Sequence, residues 1–182
     1  MLGLTIHSSR RRFAARLNSG VRQQMKLRSN SWLLLLAVAA WLPAAHASPA
    51  PEFCKVLRAF VASVQPDETR EFTFRTSWGS NFKDDPEPAI AAKRCEHGGY
   101  NPAKNVCTYL MEYGSTEFTG ADVKDAVSCL SRKTKFDRRL SLYLASFHFS
   151  YGSDDRGALI DITFKEDPIV GGMAFRLVAD GY

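Results

Sequence analysis

His148, Ser150 and Asp161 are the residue types of a nucleophilic hydrolase. His148 and Ser150 lie two apart in an alternating segment and therefore on one strand face. If the hairpin that follows turns symmetrically about Asp154-Asp155, Asp161 falls opposite His148 on that same face. A one-residue slip would move Asp161 to the other face, and no Gly-x-Ser-x-Gly elbow presents the serine. A strand histidine paired with a cross-strand carboxylate is the simpler reading.

The other histidine after residue 47, His97, lies two residues from Cys95 and ten from Cys107. That spacing could start a zinc site, but there is no second close pair, so neither metal nor cofactor is expected. Carboxylates are adjacent at Asp84/Asp85, Asp154/Asp155 and Glu166/Asp167, each time in a turn. Acid–base glycoside chemistry needs two carboxyls in different environments across a cleft, and neighbours at a solvated tip have nothing to separate their pKa values. The phosphate-loop, dinucleotide, His-Glu-x-x-His and EF-hand patterns are all missing.

Four cysteines remain: Cys54, Cys95, Cys107 and Cys129. They follow a segment with the parts of a secretory signal. Lys26 and Arg28 precede an apolar run from Trp32 to Leu42, Pro43 breaks it, and Ala45-His46-Ala47 offers a cleavage site after Ala47. Met25 would be a natural start for such a signal. Ser9-Arg10-Arg11-Arg12-Phe13 matches a twin-arginine pattern, but it runs into polar sequence where an apolar segment should follow. The expectation is a leader over 1–47 and an exported domain over 48–182, periplasmic or secreted, with no membrane insertion once the signal is cut.

An oxidising destination makes two disulfides of four cysteines, with three pairings open. The favoured one joins Cys54 to Cys129 and Cys95 to Cys107. Charge changes with the leader. Seven of the 24 Lys and Arg lie before residue 48, leaving 17 against 19 acids and a net charge near −2. The sequence pI of about 9.1 therefore gives no support to nucleic-acid binding.

The elements that must carry these residues follow from periodicity. Phe53, Val56, Leu57, Phe60, Val61 and Val64 are spaced for a helix from Pro51 to Val64. Glu71 to Trp78 alternates as a strand, with Phe72, Phe74 and Trp78 on one face. Pro88 to Cys95 reads as a short helix, and Asn105 to Tyr113 can be read either way, with the strand, Val106, Thr108 and Leu110 alternating against Cys107, Tyr109 and Met111, favoured. A third helix starts at Thr119, with Asp122 at the capping-box offset, and buries Val123, Ala126, Val127 and Leu130. Leu140 to Tyr151, Ala158 to Phe164 and Met173 to Ala179 form a terminal meander of three strands. The basic run Arg132 to Arg139 sits at a helix C-terminus, where cations are favoured.

The fold expected is α+β in a single domain: an antiparallel sheet with about three helices on one face. Its function reads as binding more than catalysis. An inhibitor or immunity-type partner of another exported protein is favoured, with Asp84, Asp85, Asp154, Asp155, Glu166 and Asp167 steering the encounter. The alternatives are an envelope hydrolase using His148 or His97, and a structural component that associates with itself.

Overall fold

A computed structural model describes residues 50–182; the leader and the cleavage position after Ala47 lie outside the described residues. The chain runs α1 (Pro51–Ser63), β1 (Thr69–Trp78), β2 (Ala91–Glu96), α2 (Asn101–Tyr113), α3 (Thr119–Leu130), β3 (Ala145–Gly152), β4 (Gly157–Glu166) and β5 (Met173–Gly181). The strands form one antiparallel sheet in the order β2-β1-β5-β4-β3. This is the expected α+β architecture, including the terminal meander. Among the described residues no helix is long and apolar enough to cross a membrane.

The helices cover one sheet face. Leu57 and Phe60 of α1, Val106 and Leu110 of α2, and Val123 and Val127 of α3 meet Phe72, Phe74, Ile160, Ile162, Phe175 and Leu177 from the central strands, all buried. Phe72 sits edge-on between Phe60 and Phe175, with centroids 5.7 and 5.4 Å away. Both disulfides pair as favoured. Cys54–Cys129 ties α1 to α3, and Cys95–Cys107 ties β2 to α2.

Two elements are the reverse of the sequence reading. Ala91–Glu96, read as part of a helix, is the edge strand β2, in continuous register with β1 from Trp78↔Ala91 to Thr73↔Glu96. Pro86 and Pro88 keep the preceding loop from winding into a helix, and pairing with β1 satisfies the backbone that a helix would have satisfied internally. Asn105–Tyr113, read as a strand, belongs to α2. Pro102 suits its first turn, and Ala103, Val106, Cys107 and Leu110 recur at helical spacing as its buried stripe. The Val, Thr and Tyr content that favours a strand is outweighed by burial of that stripe.

Three smaller corrections have local causes. The strand expected from Leu140 begins only at Ala145, because residues 140–144 are held against α3. Lys124 Nζ donates to the Leu140 carbonyl at 2.7 Å, and Leu142 packs against Gly120, which has no room for a Cβ. Trp78 ends β1 in solvent rather than beside Phe72 and Phe74. Thr119 does not act as the cap of α3. Its hydroxyl shares a buried 2.6 Å hydrogen bond with Thr76, while Ser115 Oγ accepts from Phe118 N–H and Asp122 accepts from Ser115 N–H.

Candidate functional site on the open face of the sheet

The sheet face turned away from the helices carries the chemistry. The registers give rows that cross the sheet: Ser150–Leu159–Asp180–Thr69, then His148–Asp161–Val178–Glu71, then Ser146–Thr163–Arg176–Thr73. The first two rows surround a concavity of 520 Å³ lined by Thr69, His148, Ser150, Leu159, Asp161, Val178 and Asp180. Leu159, 54% exposed, gives it an apolar floor beside Val178, and Asp161 and Asp180 give it an acidic rim. Thr69 Oγ1 donates to Asp180 at 2.7 Å, which orients that carboxylate.

Asp161 does lie opposite His148, as a symmetric hairpin turn requires. His148 Nδ1 is 3.6 Å from Asp161 Oδ2, with the two side chains 69% and 44% exposed. The serine that meets the other ring nitrogen is Ser146, with Oγ 3.1 Å from Nε2. Ser150 shares the face but lies opposite Leu159. Ser146, His148 and Asp161 thus stand in the order nucleophile, base, orienting acid. Their exposure leaves them in a high dielectric, where such an array gains little of the electrostatic advantage a dry site gives. Ser146 was legible in the alternation, being as far before His148 as Ser150 is after it. Thr69, Val178 and Asp180 come from β1 and β5, and no local pattern places them here.

The six acidic residues do not gather. Asp84 is engaged by Arg94 through two contacts of 2.7 and 3.2 Å, and that hydrogen bonding holds its carboxyl below the usual range. Asp85 accepts from Glu87 N–H and stabilises its own loop. Asp167 accepts from Ile169 and Val170 N–H and from Arg75 Nε, chiefly backbone donation, which lowers its pKa. Asp154, Asp155 and Glu166 are exposed. The β4 strand separates the Asp154-Asp155 tip from Glu166-Asp167, roughly 30 Å along its ten residues. The loop bearing Asp84 and Asp85 is fastened to the Glu166-Asp167 turn through Lys83 N–H to the Val170 carbonyl at 2.8 Å.

His97 lies in a second depression, of 530 Å³, beside the Cys95–Cys107 disulfide with Lys104, Thr108, Met111 and Glu112. Its Nδ1 is buried without a hydrogen-bond partner. Both cysteines there are oxidised, and no group of three or more His, Cys, Asp or Glu among the described residues could hold a metal ion. Sequence reasoning passed over two perturbed acids of α3, Asp122 and Asp125, the latter raised by desolvation. Asp122, half-buried at the start of α3, has its pKa raised to about 7 by desolvation, against the Ser115 N–H bond that favours its charge.

No family model matches the chain, and neither a curated protein nor a solved structure matches it.

Proposed function

We propose that this is a binding protein of an oxidising compartment, an inhibitor or immunity-type partner of another exported protein, and that it engages that partner through the open face of the sheet. The observation that carries the reading is the concavity, in which the exposed Leu159 lies beside the carboxylates of Asp161 and Asp180. An apolar floor under an acidic rim suits a long basic side chain, whose methylene stem lies on the floor and whose cation meets the rim. Asp154 and Asp155, exposed on the hairpin tip at one end of this face, would steer a basic partner toward it. The two disulfides, which need an oxidising environment, support the export half of the reading.

Affinity capture with the disulfide-bonded protein as bait in a cell-envelope and culture fraction tests it. One partner near one-to-one, lost with Leu159→Arg, is the expected result. A partner retained by Leu159→Arg moves the interface elsewhere, and an empty capture across growth conditions counts against binding as the function. The second reading, an envelope hydrolase, draws on the placement of His148 between Ser146 and Asp161. It requires that His148→Ala remove an activity on envelope material while the fold stays intact.

A further inference from the structure

The two edges of the sheet are built differently. Edge strands expose unpaired N–H and C=O groups, and proteins blunt them with short length, charge, proline or bulges. β2 is short and carries Lys93, Arg94 and Glu96. β3 has none of these protections. Its eight residues, Ala-Ser-Phe-His-Phe-Ser-Tyr-Gly, include no Lys, Arg, Asp, Glu or Pro, and its register with β4 is unbroken from Ala145↔Phe164 to Gly152↔Gly157. Phe147, Phe149 and Tyr151 are only half-buried along its helix-side face, and Tyr143 and Leu144 just before it are 81% and 76% exposed.

We propose that β3 is the interface with a second copy of this chain, paired antiparallel about a two-fold axis perpendicular to the sheet to give one continuous ten-stranded sheet. Such an axis keeps like faces together. The aromatic row of each copy meets that of the other, and Ser146, His148 and Ser150 meet their counterparts.

Charge selects this occupant. In antiparallel pairing the end of one β3 lies beside the start of the other. The tip Asp154-Asp155 follows β3 directly, with Arg156 beside it turned to donate to Gln65 Oε1 at 3.1 Å, and the pair Arg138-Arg139 lies six residues before the strand, in a run whose one acid, Asp137, accepts from Arg139 N–H. Phe136, edge-on against Phe147 with centroids 5.8 Å apart, tethers that basic run beside the strand. Each copy therefore presents an acidic end and a basic end that are complementary to the other copy twice over. The open faces join into one surface, with the two concavities flanking the axis.

The test uses the chain expressed from Met1 through an oxidising export route, with both disulfides formed. Sedimentation velocity over a concentration series reaching the submillimolar range should show a monomer–dimer equilibrium; a monomer throughout overturns the proposal. Ser146→Lys with Ser150→Lys places like charges on the solvent face of the edge and should raise the dimer Kd about tenfold or more. A dimer that ignores these lysines overturns it. Asp154→Lys/Asp155→Lys and Arg138→Glu/Arg139→Glu should each weaken the dimer, and the combined variant should recover it; failure to recover overturns this docking. In the unmodified protein, amide exchange of residues 145–152 should slow as the dimer forms. Unchanged exchange across that transition overturns β3 as the interface, whatever the variants do.

Discussion

Burial raises the Asp122 carboxyl to about pH 7 from an ordinary value of 3.8, and this ties folding to pH. Between about pH 4 and 7 the unfolded chain releases this proton and the folded chain keeps it, so stability falls as pH rises and the loss is complete above pH 7. Asp122→Asn, which can still accept from Ser115 N–H, should flatten that slope. Urea unfolding at pH 8 should show it more stable than the parent by on the order of 2–4 kcal/mol. Asp84 and Asp167 act in the opposite sense, because their folded-state pKa values are depressed and their contribution is lost as pH falls below about 4. Stability should therefore peak on the acid side of neutrality. On the open face, the exposed His148–Asp161 pair belongs to the class worth under about 1 kcal/mol. His148→Ala should shift the urea midpoint very little, so any function it removes would be functional rather than structural in origin.

Among the elements, the disulfides differ by the loop each closes. Cys54–Cys129 spans a sequence separation of 75 and Cys95–Cys107 one of 12. Chain entropy puts their contributions at about 4 and about 3 kcal/mol. Denaturant midpoints of Cys54→Ala/Cys129→Ala and Cys95→Ala/Cys107→Ala should rank in that order. The turn into β5 depends on Gly172, at φ +74°, where a Cβ would run into the Thr76 carbonyl. Gly172→Ala should cost more than about 1 kcal/mol in the same assay. α1, β1, α3 and the meander could be read from sequence because each has one buried stripe and polar positions between. β2 and α2 could not, and for physical reasons. The Ala-rich start of β2 mimics a helix, and its strand character comes only from its partner β1. In α2, strand-forming residues sit at positions whose helical spacing shows only once Ala103 is counted with Val106, Cys107 and Leu110. The candidate site divides in the same way. The His148–Asp161 pairing follows from one hairpin, whereas the concavity needs β5 between β1 and β4, a long-range arrangement that local pattern does not encode.

At the scale of the molecule, the core is one contiguous layer between three helices and one sheet face, so truncating its centre is felt throughout. Phe175→Ala, fully buried in the middle strand, should cost about 3–5 kcal/mol and lower the denaturant midpoint with little change in slope. That middle strand also follows the other four described strands in chain order. β5 joins β1 to β4, and Thr69 meets Asp180 across 111 residues of sequence. A ribosome or a translocation pore delivers the chain from its N-terminus, so the two halves of the sheet have no common seam until β5 emerges. Long-range closure of this kind slows folding. The Cys54–Cys129 crosslink can form earlier and shorten the remaining search. Refolding with that bond intact should outpace refolding of the reduced chain. A nascent chain stopped before Met173 would be a poor candidate for stable structure, and a good one for proteolysis.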